Sequence, residues 1–148
     1  MSYKFQPKKP VRSFRDLDVY QKVLDCSVLV AKDIQPVLAK LKYPLLENMI
    51  NCCLSLPLYI GESHSLRFSD FPLAVATLEK AMSGCNKMII YLEQAKGLYG
   101  VKLEADLIED LMHRYMEVRG QMFRLEKSWK RYRQDNPEGP PQKFAPRY

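Results

Sequence analysis

"FPLAVATLEKAMSGCNKMIIYLEQAKGLYG", residues 71–100, is the stretch from which the fold can be read. Phe71, Val75, Leu78, Met82, Cys85, Ile89 and Leu92 follow one another at steps of four and three, the spacing of a helix with a single apolar seam. Ser69 is the expected N-cap, Pro72 is tolerated because it lies in the first turn, and "GLYG" at 97–100 stops the helix. From about Leu103 to Arg133 the pattern returns, through Ile108, Leu111, Tyr115, Val118, Met122, Leu125, Trp129 and Tyr132. Two long seamed helices joined by a short glycine-bounded turn should pair antiparallel.

Working back toward the N-terminus, Ser13 and Asp16 have the spacing of a capping box. Val19, Val23, Cys26 and Val30 then mark a first helix, which is expected to end between Asp33 and Lys40, where Pro36 interrupts the hydrogen-bond ladder. A second helix is expected from Leu41 or Pro44 to Glu62, with Leu45, Met49, Cys52, Leu56 and Tyr59 on one stripe. Strand-like alternation and solenoid repeats are absent. The expectation is an all-α antiparallel four-helix bundle over 13–133, preceded by a basic arm at 1–12 and followed by a proline-rich tail at 134–148, "QDNPEGPPQKFAPRY".

The segment "CCLSLPLYIGES" at 52–63 poses a covering problem. Between Leu45 and Ile60 the only formal charge is Glu47, and a four-helix bundle cannot wrap one of its members on every side. A second copy of the chain would supply the missing cover. Met49, Cys52, Cys53, Leu56, Pro57, Tyr59 and Ile60 are therefore the expected homo-oligomer interface, with a kink at Pro57.

Composition narrows the function. At 148 residues the chain is one domain, and its longest nearly uncharged run, Asn48 to Gly61, is short of the roughly 20 residues that cross a bilayer. "MSYKFQPKKPVRS" carries no apolar signal core, so a cytoplasmic protein without a membrane partner is expected. Cys26, Cys52, Cys53 and Cys85 lack metal-ligand spacing and read as buried reduced thiols. His64 and His113 are far apart, and Asp110, not Glu, stands three residues before His113, so the di-iron pattern of helical bundles is not met. Glu109 and Asp110 diverge on a helix, and no phosphate-binding glycine loop or nucleophile elbow is present. No catalytic residue, metal or cofactor is expected.

Charge points elsewhere. The formal net charge is +6 and the pI about 9.1, values that suit a polyanionic partner such as RNA or DNA. Lys4, Lys8, Lys9 and Arg12 precede the first acid in the chain. Arg124, Lys127 and Arg131 lie opposite the seam of the last helix, with Lys130 and Arg133 nearby. These nine residues are the expected phosphate contacts. The competing reading is dipole complementation, since Glu104, Asp106, Glu109 and Asp110 open the same helix that the bases close. Trp129 and Tyr132 occupy seam positions and are expected in the core.

"SFRDLDVYQK" at 13–22 resembles the opening of the four-helix-bundle proteins encoded in intervening sequences of bacterial 23S ribosomal RNA genes. "SLPLYIGES" at 55–63 is similar to that family's S-I-P-A-N-I-A-E-G, matching at Ser55, Pro57, Ile60 and Glu62 and departing at Tyr59, Gly61 and Ser63. A further departure is Ile89, where the family has an acid. The resemblance spans roughly residues 12 to 130. It implies a bundle assembled into a ring, typically a pentamer. A related branch, the accessory proteins of diversity-generating retroelements, implies binding to nucleic acid and a reverse transcriptase. The expected function is thus a non-enzymatic nucleic-acid-binding accessory protein. The alternative is a structural or protein-binding scaffold with no nucleic-acid ligand.

Overall fold

Every secondary-structure element among the described residues, 11–137 of this computed structural model, is helical. Lys4, Lys8 and Lys9 of the arm, and the tail beyond Pro137, lie outside the described residues. A 3-10 turn, Phe14–Asp16, leads into α1 (Asp18–Leu29); a π-helical turn, Val30–Ile34, joins α1 to α2 (Gln35–Leu41); α3 (Leu46–Leu66), α4 (Phe71–Tyr99) and α5 (Ala105–Asp135) follow. Since α1, the π turn and α2 run on without leaving helical geometry, four rods pack together.

Local signals explain most boundaries. The Ser13 hydroxyl accepts from Arg15 N, and the Asp16 carboxylate accepts from the Ser13 and Arg12 amides at 3.2 and 2.8 Å, a capping box on the 3-10 turn. The cap of α4 is Asp70, one residue beyond the expected Ser69, its Oδ1 accepting from Leu73 N at 3.2 Å. Pro36 does not end the first rod. It falls in the first turn of α2, and the π turn before it widens the ladder around the missing donor. Pro57 likewise lies inside an uninterrupted α3.

Contacts run in opposite sequence order between neighbouring rods, so each pair is antiparallel. Tyr43 Oη meets Gln94 Oε1 at 2.8 Å while Cys52 Sγ meets the Gly84 carbonyl at 3.5 Å. Between α4 and α5, Cys85 Sγ lies 4.0 Å from Met122 Sδ, and Lys96 bridges to Glu109. Gln121 Nε2 donates to Asp18 at 3.0 Å and Lys22 pairs with Glu117 at 2.6 Å, so α1 closes the bundle against α5 as well as against α3.

The core corrects two expectations. On α4 the large residues Phe71, Val75, Met82 and Ile89 are only half-buried, whereas Ala74, Ala81, Gly84, Met88 and Ala95 are fully enclosed. The helix is buried on two sides: large residues face α5, and small residues admit α3 so closely that a Cβ on Gly84 would overlap Leu56 Cδ2. Sequence spacing followed the large residues and missed the small ones.

The second correction concerns the expected interface. Met49, Cys53, Leu56, Pro57 and Ile60 are buried within a single chain, and Cys52 and Tyr59 are half-buried against its core. They pack on α1, α4 and α5, so no second copy is needed to cover them. The face of α3 left outward carries Glu47, Asn51, Leu54, Leu58 and Glu62; Leu58 is 70% exposed.

Two positive-φ residues close the inter-helix turns. Lys42 ends α2 at φ 61°, a left-handed conformation that costs a side-chain-bearing residue about 1 kcal/mol. Gly100 ends α4 at φ 53° and ψ −120°, which suits only glycine. Lys42→Gly should therefore raise, and Gly100→Ala lower, the unfolding free energy by roughly 1 kcal/mol each in urea melts. Two unchanged midpoints would contradict these turn assignments.

Candidate nucleic-acid interface

The antiparallel order brings four segments distant in sequence to one end of the bundle: the turn before α1, the C-terminus of α3, the N-terminus of α4 and the last turns of α5. The Phe14 ring packs over Gly61, His64 and Trp129 ring centroids are 6.3 Å apart, and Phe68 and Tyr132 centroids 6.1 Å apart. The Arg133 guanidinium lies 4.5 Å from the centre of the Phe71 ring.

Basic side chains concentrate at this end. Arg124, Lys127 and Arg131 are exposed on the outer face of α5, opposite the buried Val118 and Met122. Arg124 reaches back toward Gly120, and Lys127 Nζ stands 5.2 Å from the centre of the exposed Phe123 ring. Among the described residues none of these three pairs with a carboxylate, whereas Lys22, Lys96 and Arg114 elsewhere on the bundle all do. Cations without counter-charges keep their potential available to a polyanion.

The other expected contacts divide. Lys130 pairs at 3.5 Å with Glu126, a carboxylate buried between the rods. Arg133 turns toward Phe71 instead of the outer face. Arg12 is exposed just ahead of α1, whose contacts with Glu117 and Gln121 set the preceding chain alongside the later turns of α5. The structure thus brings Arg12 to the same end as the ridge, while Lys4, Lys8 and Lys9 belong to the undescribed residues.

Sequence spacing overlooked a cleft of about 210 Å³ at this end. Arg67 and Phe68, from the link between α3 and α4, face Trp129, Tyr132 and Arg133 of α5, with Phe71 below Arg133. Trp129 is half-buried and packs against the core, as its seam position suggested, with one edge toward the cleft, whereas Tyr132 is 44% exposed and is not a core residue. A 3.5-residue repeat drifts against a 3.6-residue helix, and by the last turn the seam has rotated off the core. The signal that could have found the cleft is "LRFSDF" at 66–71, an arginine set among aromatics between two helices.

Behind the cleft, His64 is almost fully buried. Arg67 Nη1 donates to the His64 carbonyl at 2.6 Å and lies 3.1 Å from Nδ1. Burial, aided by the Arg67 charge, pushes the imidazole down to about 4. The thiols are also shielded: burial raises Cys26 to about 11 and Cys53 and Cys85 to about 12, so they stay protonated at neutral pH and are poor nucleophiles. Among the described residues no group of histidine, cysteine and carboxylate side chains is placed to hold a metal, and no helix is long and apolar enough to cross a membrane.

No protein-family model, curated protein or solved structure matches the chain.

The histidine gives a pH test. Its folded pKa lies below its unfolded value of about 6.5, so the proton favours the unfolded chain: the stabilisation is whole above pH 6.5 and is lost as pH falls toward 4. Stability should drop by about 3 kcal/mol across that window. His64→Leu should flatten the slope between pH 6.5 and 4 in denaturant titrations. An equally steep decline in the variant would show that another group is responsible.

Proposed function

We propose that the chain is a non-enzymatic accessory protein that binds RNA, or RNA paired with DNA, through phosphate contacts at one end of a four-helix bundle. The observation that carries this reading is the placement of Arg12 at the same end as the ridge Arg124, Lys127 and Arg131, none of which pairs with a carboxylate among the described residues. A helix dipole rewards bases in the last turn of one helix, but it gives no reason for bases ahead of α1 to gather beside them. Contacts of this kind are sequence-independent and salt-sensitive. Lys4, Lys8 and Lys9 precede Arg12 in sequence and are included in the proposal as further phosphate contacts.

Membership of the 23S ribosomal RNA intervening-sequence family, with a reverse transcriptase as protein partner, is part of the same proposal and rests on the motifs at 13–22 and 55–63. Assembly into a ring is the third part. Its support is the exposed pair Leu54 and Leu58 on the outer face of α3, apolar side chains that a second copy would cover. In a ring, weak phosphate contacts repeat by symmetry and add avidity. The same exposed pair favours the alternative of a scaffold for another protein.

Replacing Arg124, Lys127 and Arg131 together by Glu should weaken binding of structured RNA about 100-fold at low salt and reduce the log–log salt slope by about 3, with the circular dichroism spectrum unchanged. Unchanged affinity in a filter-binding titration would remove the ridge from the interface. Leu58→Asp should lower the mass seen by light scattering without loss of helicity. An unaltered mass would take this face of α3 out of any assembly contact.

A further inference from the structure

The cleft between the α3–α4 link and the end of α5 differs in kind from the ridge. The ridge is an open row of cations, suited to a phosphate backbone. The cleft joins aromatic faces to guanidinium groups in one concavity. Arg133 stacks on Phe71 at 4.5 Å and Arg67 on Phe68 at 4.2 Å. A guanidinium whose face covers a ring keeps N–H donors in its plane that can grip a phosphate from the edge; Arg133 is placed to use them so, while Arg67, whose Nη1 donates to the His64 carbonyl at 2.6 Å, adds its charge. Arg133 is exposed and has no carboxylate partner among the described residues. Between the two arginines, the exposed Tyr132 ring and the part of Trp129 left uncovered by the core line the cleft.

We propose that this cleft holds a single nucleotide at the end of a nucleic-acid strand, its base stacked on Trp129 and Tyr132 and its terminal phosphate held by Arg133 with Arg67 alongside. The inference rests on the nucleic-acid reading above and assigns to this end a site for a strand terminus, separate from the ridge. A space of about 210 Å³ is smaller than the roughly 300–1,000 Å³ of sites that enclose a whole drug-sized ligand, so it suits one planar ring system with its phosphate at the rim. A shallower groove adjoins it, lined by Lys130, Gln134 and Pro137 and sharing Phe71 and Arg133, which gives the following phosphates a path outward. Stacking of a base on aromatic side chains tolerates any sequence.

The chain's own tail is the competing occupant, since Asn136, close to it in sequence, lines the cleft. Its charges argue against it. Residues 138–148 carry Lys143 and Arg147, cations that a cleft already rimmed by arginines would repel.

Trp129 is the only tryptophan, so its fluorescence reports on the cleft directly. Uridine monophosphate, uridine and inorganic phosphate are titrated into the full chain, into Arg133→Gln and into the ridge triple-Glu variant, with structured-RNA binding measured in parallel. The proposal expects saturable quenching by uridine monophosphate, at least tenfold weaker response to uridine, and none to phosphate alone. It expects Arg133→Gln to weaken the nucleotide response at least tenfold with helicity retained, and the ridge variant to keep that response while losing long RNA. RNA binding without any nucleotide response would overturn the cleft assignment and leave the ridge reading intact. Equal responses to uridine and its monophosphate, or an unaffected Arg133→Gln, would overturn the phosphate role. A Trp129 spectrum that shifts on deletion of residues 138–148 but ignores every nucleotide would give the cleft to the tail and overturn the proposal.

Discussion

The bundle depends on how closely α3 and α4 approach. Ala74, Ala81, Gly84 and Ala95 make one side of α4 nearly flat, and Leu56 of α3 seats against Gly84, where the carbonyl also accepts from Cys52 Sγ at 3.5 Å. Because that side is given to small residues, α4 has its large ones free for α5, and it becomes the helix enclosed from two directions. α3 is drawn inward by the same contact. Its apolar residues Met49, Cys53, Leu56 and Ile60 fill the centre of one chain, and α1 and α5 then close over them, with Tyr115 Oη reaching Cys53 Sγ at 3.9 Å. The inward faces of α3 are thus filled within one chain, while its outer face keeps Leu54 and Leu58 exposed between Glu47 and Glu62.

From that packing the surface electrostatics follow. With neighbours antiparallel, the acid-rich start of α5 lies at the far end, where Glu109 meets Lys96 and Asp110 meets Arg114. The base-rich end of α5 falls beside the start of α1, where Asp16 and Asp18 are engaged by amides, Gln121 and Lys22, and where Arg124, Lys127 and Arg131 have no carboxylate partner among the described residues. Exposed ion pairs contribute little to stability, so this distribution matters less for folding than for what the protein attracts. One end of the rod bundle carries three cations without a carboxylate partner among the described residues, and a partly open aromatic cleft. Both are features a polyanion with planar bases can use.

How far the sequence could be read depended on which side chains held the information. Val19, Val23, Cys26 and Val30 are all buried, because α1 presents one stripe of large residues to one core. The capping box at Ser13 and the stop at Gly100 follow from local hydrogen bonding and φ alone. Periodicity failed where small residues carried the packing, as on α4, and where a helix outlasts the core, as at Tyr132. It also failed at Pro36, since a proline signals a disturbed ladder without saying whether the helix ends or widens into a π turn. The ridge residues were legible from spacing against the seam. Arg67 and Phe68 were not, because only tertiary structure brings the α3–α4 link onto α5.

The central claim is that function resides at one end of the bundle. Backbone amide NMR shifts recorded on adding a short structured RNA at low salt test it most directly. The account predicts perturbations at Arg12 to Arg15, Arg67 to Phe71 and Arg124 to Asn136, fading as salt is raised, while Lys40, Lys42, Lys96 and Lys102 at the opposite end stay unchanged. Perturbations centred on those four lysines, or a spectrum indifferent to RNA, would contradict it.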